Sequence, residues 1–201
     1  MTDGRVIVFL KAPRPGFVKT RIAADLDAEA AVAIYQALVG MTLSHLRDRK
    51  DVELRFTPDD AAAEMVGWRR PGWSLRAQGD GDLGERLLRA VEEAFSEGVP
   101  RVVLLGGDCP ELASGDVEDA LVALSRHDVV LGPAVDGGYW LMGLRRSCPD
   151  LFRGIAWGTD RVCEESMRKA AEAGLTVAEL RRLRDIDSLA DWRTWLREHP
   201  L

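Results

Sequence analysis

Three charged residues stand just beyond apolar runs of the kind that form buried strands. They are Lys11 after VIVFL (6–10), Asp108 at the end of RVVLLGGD (101–108) and Asp136 after DVVLGPAV (128–135). The first opens KAPRPGFVKTR (11–21), whose cations Lys11, Arg14, Lys19 and Arg21 suit a phosphate. A Lys-Thr shortly after Gly16 suggests the loop that wraps nucleoside triphosphates. That loop needs glycine directly before the lysine and a second glycine five residues earlier. Here Phe17 and Val18 intervene, and Pro13 and Pro15 remove backbone donors. The stretch is not a Walker loop. The chain has 23 arginines but four lysines, two of them Lys11 and Lys19. Where Arg is the habitual cation, a Lys marks a place for a compact ammonium, with chance placement as the rival account.

The other polar clusters each carry two readings. In GGDCP (106–110), glycines let a ligand approach the backbone, and Asp108 can hold a hard divalent cation or cap the turn before Pro110. Cys109 reads as a small buried residue. DGGY (136–139) reads as a hairpin turn, with a substrate loop as the alternative. Strand alternation then sends Tyr139 and Trp140 to opposite faces, so at most one borders a site. QGDGDLGERL (78–87) joins three glycines to a helix start, which can embrace a sugar, base or phosphate, but lacks dinucleotide spacing. DIDSLADW (185–192) sets three carboxylates in seven residues. Asp187 could ligate a metal, or Asp187 or Ser188 could cap the last helix. His45, His127 and His199 suggest no nucleophilic triad.

The elements that must position these groups alternate in type. Besides the strands above, the pattern predicts strands at VELRFTP (52–58), SLRAQ (74–78), GGYWLMGL (137–144) and near LTVAEL (175–180). Helices are expected over 29–49, where Ile34, Leu38, Met41 and His45 recur at 4-3-4 spacing, and in a short Ala-rich turn from Asp59. Others run through Leu88, Val91 and Phe95 to Gly98, through Val117, Leu121 and Leu124, over 161–173 and over 188–198. Alternation of this kind gives an α/β fold with a largely parallel sheet covered on both faces. One domain over 1–201 is expected. Ligands of such sheets bind outside the carboxyl ends of the strands, which groups Lys11, Asp108 and Asp136 on one edge.

Bulk properties narrow the class. Hydrophobic content of 46% and charged content of 30% are those of an ordinary folded domain. No apolar run approaches the ~20 residues of a membrane span, and MTDGRVIVFLK is too mixed for a signal peptide. Three cysteines give no disulfide framework, and a net charge of −6 argues against nucleic acid as the partner. Arg181, Arg182 and Arg184 read as a solvated face. A cytoplasmic location is expected.

In their order, KAPRPGFVKTR, QGDGDLGERL, GGDCPEL, DGGYW, WGT (157–159) and DIDSLADW resemble the nucleotide-diphospho-sugar transferase superfamily of glycosyltransferase-A fold. The nearest likeness is to a bacterial glycosyltransferase-like group, some of it linked to arsenosugar biosynthesis. Phospholactate and molybdenum-cofactor guanylyltransferases are similar at greater distance. The resemblance spans residues 6 to about 192. It implies a three-layer α/β/α sandwich with a mostly parallel mixed sheet. It also implies metal-assisted transfer from a nucleotide sugar to a small-molecule acceptor. Carried over, Lys11, Arg14, Gly16, Lys19 and Arg21 surround the phosphates, and Gly81, Leu83, Gly84 and Arg86 lie near the nucleoside. Asp108 is the principal ligand of Mg²⁺ or Mn²⁺ and Asp187 the second. Asp136 is the base, with Gly137, Gly138, Tyr139, Trp157 and Thr159 on the acceptor side. One departure stands out: Gly106 occupies the first position of the Asp-x-Asp common in these glycosyltransferases. That resembles the nucleotidyltransferase branch. A nucleotidyltransferase releasing pyrophosphate and a non-catalytic nucleotide-binding protein are therefore the alternatives. Monomer and homodimer are both left open.

Overall fold

Every apolar run read as a strand is one in the computed structural model, which describes residues 4–199. In chain order the strands are β1 (Arg5–Lys11), β2 (Val52–Thr57), β3 (Ser74–Ala77), β4 (Val102–Gly106), β5 (Val129–Pro133), β6 (Tyr139–Leu144) and β7 (Val177–Glu179). They form one sheet in the order β3-β2-β1-β4-β6-β5-β7. Only β6 runs antiparallel to its neighbours, β4 and β5; the other pairings are parallel.

The helices are α1 (Thr20–Asp25), α2 (Ala28–Ser44), α3 (Ala62–Met65), α4 (Leu83–Ser96), α5 (Ser114–Ala123), α6 (Val162–Glu172) and α7 (Leu189–Glu198). Period-2 alternation divides the core between the two faces of the sheet. Val6, Val8 and Leu10 pack with Tyr35 and Val39 of α2 and Val117 and Leu121 of α5. Ile7, Val102 and Leu104 pack with Leu87 and Val91 of α4 and Ala170 of α6. Three layers result, as expected.

The differences from the sequence expectation are local. The six-residue α1 buries only Ile22 and has no side-chain cap, so no periodic pattern announces it. Helix α2 starts at its Asp27 cap, whose carboxylate accepts from Ala30 N at 2.7 Å, and stops at Ser44 rather than continuing to 49. Beyond it the chain tightens through i→i−3 bonds such as Leu46 N to Leu43 O. The stripe of Ile34, Leu38 and Met41 turns toward Ile22, Ile186 and Trp195, while Tyr35, Val39 and Leu43 face the sheet. Thus α2 is sandwiched, which a single amphipathic stripe does not reveal.

Because β1, β4, β5 and β7 point the same way, the segments after them share one edge. The chain beyond β7 stays bonded to that edge: Leu183 N donates to Pro133 O (3.1 Å), Val135 N to Leu183 O (3.0 Å), and Ile186 N to Asp108 O (3.1 Å). No helix among the described residues is long and apolar enough to cross a membrane.

Candidate active site

The loop after β1 ends at Lys19, the only non-glycine residue with positive φ among the described residues (φ 44°, ψ 48°). A left-handed lysine costs on the order of 1 kcal/mol, and such outliers cluster where a side chain must be aimed. Lys19 is aimed inward. Its side chain is only 6% exposed, and Nζ donates to Asp108 Oδ2 at 3.0 Å and Asp187 Oδ1 at 2.9 Å. Burial opposes its charge, but Asp108 and Asp187 outweigh that and hold the ammonium above its ordinary pKa. Arg21, mostly exposed, lies 3.7 Å from Asp187 Oδ2.

Asp187 is available to Lys19 because it does not cap α7. Ser188 does that, its side chain accepting from Asp191 N while the Asp191 carboxylate accepts from Ser188 N and Oγ. Ile186 is fully buried between α1, α2 and α7. Alternation about that anchor leaves Asp185 and Asp187 together on the sheet edge. Carboxylate oxygens of Asp136, Asp185 and Asp187 lie within 4.8 Å of one another. Burial, and then the charges of Asp136, Asp108 and Asp187, push the Asp185 carboxyl up to about 7. This is a surplus of negative charge. Its oxygens are the hard donors that Mg²⁺ or Mn²⁺ accepts, whereas Cys109 alongside is buried with its thiol pushed up to about 12.

Two cavities meet at this point, sharing Phe9, Arg21, Gly106 and Asp187. The first, of about 300 Å³, is basic and aromatic; Lys11, Phe17, Lys19 and Tyr35 line it, and Asp108 closes it. Lys11 lies 5.9 Å over the Phe17 ring, and its backbone N donates to the Tyr35 hydroxyl at 2.8 Å. The second, of about 370 Å³, lies under Asp136, Gly138, Tyr139, Trp157 and Thr159, with Leu83 and Leu87 of α4 opposite. The Tyr139 and Trp157 rings stand perpendicular, their centroids 6.2 Å apart. Gly137 (φ 91°) completes the β5–β6 turn, and a Cβ there would come within 2.0 Å of Asp160 O. The turn and the Trp157–Thr159 loop therefore fit only with glycine at 137.

Other expected residues lie elsewhere. Arg14 is drawn away from the first cavity by Glu64 and Asp60. Gly16 makes the loop turn at φ 76° without lining either cavity. Gly84 is a packing position, since a Cβ would come within 2.5 Å of Trp157 Nε1. Gly81 leads into the α4 capping box, where Asp82 and Glu85 satisfy each other's backbone donors. Arg86 reaches toward Thr57 Oγ1 at 3.5 Å, away from both cavities. Of that group only Leu83 borders either of these two cavities, and it is the one on the Trp157 side.

Tyr139 and Trp140 both border the second cavity. Their side chains nevertheless take opposite faces, as expected: Tyr139 packs on the α4 side of the sheet, while Trp140 packs on the α2 and α5 side with its indole N donating to Arg181 O at 3.1 Å. Tyr139 is half-buried, and burial of its hydroxyl holds the phenol above its ordinary pKa. Three contributors went unread. Phe17 and Tyr35 sit where only the loop's folding shows their use. Asp185 was visible as half of an Asp-x-Asp at 185–187, the spacing that is missing at 106–108.

Comparison with known proteins accords with this architecture. A solved structure of a candidate nucleotide-diphospho-sugar transferase from Desulfovibrio desulfuricans G20 is 35% identical and covers all of this chain and 89% of that one, with a TM-score of 0.92. A phosphoenolpyruvate guanylyltransferase from Mycobacterium marinum is 29% identical over 131 residues, covering 62% of this chain and 59% of that enzyme. A 2-phospho-L-lactate guanylyltransferase from Methanothermobacter thermautotrophicus is 28% identical over 163 residues, covering 80% and 69%. The chain thus spans less than two thirds of the mycobacterial enzyme's length. The family model described as "Uncharacterized protein conserved in bacteria (DUF2064)" matches residues 42–159. The chain belongs to that bacterial family, within the nucleotide-diphospho-sugar transferase superfamily.

Proposed function

We propose that this protein is a metal-assisted transferase that moves a glycosyl group from a nucleotide sugar to a small-molecule acceptor. The observation that carries the reading is the junction of two cavities at Asp187. One is cationic and sized for a diphosphate, the other carries the Asp136 carboxylate among apolar walls. Lys11, Lys19 and Arg21 bind the phosphates, and the buried Lys19 offsets charge arising on the leaving nucleotide. Asp185 and Asp187, with Asp108 across Lys19, would hold the divalent cation, leaving Asp136 at the edge of that cluster facing the second cavity. When bound, that ion neutralises the diphosphate. The acceptor oxygen forms a bond to the anomeric carbon as the bond from that carbon to the β-phosphate oxygen breaks. The electron pair leaves with the nucleoside diphosphate, and the acceptor proton passes to Asp136.

A second reading is favoured by the guanylyltransferase relatives. In it a phosphorylated acid attacks the α-phosphate of a triphosphate and pyrophosphate leaves. The leaving group separates the two. Nucleotide sugars and triphosphates are supplied in turn with Mn²⁺ and acceptor extracts. Release of a nucleoside diphosphate from a sugar conjugate supports glycosyl transfer. Release of pyrophosphate from a triphosphate replaces that reading with nucleotidyl transfer.

A further inference from the structure

A competitor for the divalent cation is built into the first cavity. Lys19 Nζ lies 3.0 Å from Asp108 Oδ2 and 2.9 Å from Asp187 Oδ1, so one ammonium stands between the two carboxylates and donates to both. Those residues reach it from different parts of the chain, Asp108 just after β4 and Asp187 just before α7. The second oxygen of Asp187 also faces a cation, Arg21 at 3.7 Å. A divalent ion takes carboxylate oxygens at about 2.0–2.6 Å. It therefore competes with the ammonium for the same interval, and the two repel each other strongly where a cavity wall replaces part of the water.

The two cations already beside Asp187 differ in kind. The Arg21 guanidinium is 75% exposed and screened by solvent, whereas the Lys19 side chain is almost wholly buried. Lys19 is also able to change partners. Its backbone is fixed at positive φ where α1 begins, but the ammonium ends a flexible four-carbon stem and carries three rotatable donors. Lys11, Arg21, Asp108 and Asp187 line the same cavity as Lys19. Rotation of the stem thus exchanges the carboxylates for a phosphate held by Lys11 and Arg21, with no change in α1. Charge pairing is conserved in the exchange. The ammonium passes to phosphate oxygens, and the carboxylates it leaves pass to the divalent ion.

We propose that Lys19 is an internal counter-ion that keeps the divalent cation off Asp108 and Asp187 until a nucleotide's phosphates draw its ammonium away, so that metal and nucleotide enter together. This rests on the transferase reading above, which puts the phosphates in the first cavity and the cation on Asp187. It assigns Lys19 two successive sets of partners, where phosphate binding alone needs one. It also fixes a sign: removing the ammonium strengthens the binding of metal alone while weakening that of the nucleotide.

The experiment is titration of the intact protein with Mn²⁺ alone, followed by the paramagnetic resonance signal of the free ion. The parent, Lys19→Met and Arg21→Met are compared. Lys19→Met keeps most of the stem and removes the ammonium; Arg21→Met removes the exposed cation beside the same carboxylate. The expected result is Mn²⁺ binding about tenfold tighter in Lys19→Met than in the parent, with a change of less than about threefold in Arg21→Met. Lys19→Gln moves the same way and takes the place of Lys19→Met if that variant does not fold. A lysine that merely braces the two carboxylates gives the opposite sign, because its loss loosens them. Unchanged or weaker Mn²⁺ binding in the Lys19 variant, or an equal gain in Arg21→Met, overturns the inference. Uridine, guanosine, adenosine and cytidine diphosphates are then titrated into parent and variant in Mn²⁺ and in EDTA. Linked binding is reciprocal, so Mn²⁺ improves the diphosphate's affinity by a larger factor in the parent than in Lys19→Met. Equal factors also overturn the exchange, while diphosphate binding to the parent leaves the transferase reading standing. Failure of Mn²⁺ and of every diphosphate to bind parent or variant removes that reading and this inference with it.

Discussion

Two charged assemblies sit on opposite sides of β1, and they are built on different principles. Beneath α4, Glu53, Glu93 and Glu97 interlock with Arg5, Arg55 and Arg76, three carboxylates against three guanidiniums. Glu53 and Arg55 are 1% and 2% exposed, yet each is satisfied. At the carboxyl edge, Asp108, Asp136, Asp185 and Asp187 share only Lys19 and an exposed Arg21. The first assembly is closed and stabilises β2 and β3 against α4. The second is left with a surplus of negative charge and a strained lysine. Such an unbalanced cluster in a cleft is a candidate functional site, whereas the balanced one is structural.

Breaking each assembly should give opposite signatures. Arg55→Ala strips buried Glu53 of its closest partner, leaving only the more distant Arg5 (3.5 Å) and Arg76 (3.6 Å), and should cost about 3 kcal/mol in urea unfolding. Asp187→Ala and Asp108→Ala each leave the buried Lys19 one carboxylate, so they should lower the midpoint by less than Arg55→Ala does but cut metal-dependent turnover by about 10²–10³-fold or more. If either aspartate variant unfolds like Arg55→Ala, the distinction between the assemblies collapses. If Asp108→Ala keeps full activity, Asp108 leaves the proposed metal site.

Smaller effects sharpen the contrast. Lys19→Ala should weaken nucleoside diphosphate binding by about tenfold, and a triphosphate by more, since the loss scales with ligand charge. Equal affinity in mutant and parent would remove the phosphate role of the first cavity. Asp128 belongs with the satisfied groups, accepting from Thr176 N at 2.9 Å and Thr176 Oγ1 at 2.8 Å, with Arg145 beside it. These bonds, with the Arg145 charge, hold its carboxyl well below the usual range. Because the folded pKa is depressed, its stabilisation is present above the unfolded value of about 4 and is lost as pH falls through the folded one. Asp128→Asn should cost about 1–2 kcal/mol near pH 7 and progressively less below pH 4. A difference that stays constant with pH would contradict that assignment.

The framework was legible because burial imposes its period on the chain. The apolar runs ending at Leu10 and Leu105 put Lys11 and Asp108 at the polar edge of the sheet. What could not be read was set by contacts distant in sequence. Arg14 looks like a phosphate ligand until Asp60 and Glu64, some fifty residues away, draw it aside. Gly84 looks like part of a ligand loop until Trp157 arrives against it. Asp187 and Ser188 are equivalent as caps on paper. The buried Ile186 decides between them by turning Asp187, with Asp185, toward the site.

The most direct test of the central claim, that the carboxylate surplus is a cation site coupled to the nucleotide cavity, is a thermal-shift matrix. Nucleoside diphosphates, triphosphates and nucleotide sugars are each measured with Mn²⁺ and with EDTA, on the parent and on Asp187→Asn. Ligands that bind only the folded protein raise its Tm by mass action. The account predicts that Mn²⁺ and a diphosphate or its sugar conjugate together raise Tm by more than the sum of their separate effects, and that Asp187→Asn erases the excess. Nucleotide stabilisation that is the same in EDTA as in Mn²⁺ would contradict it.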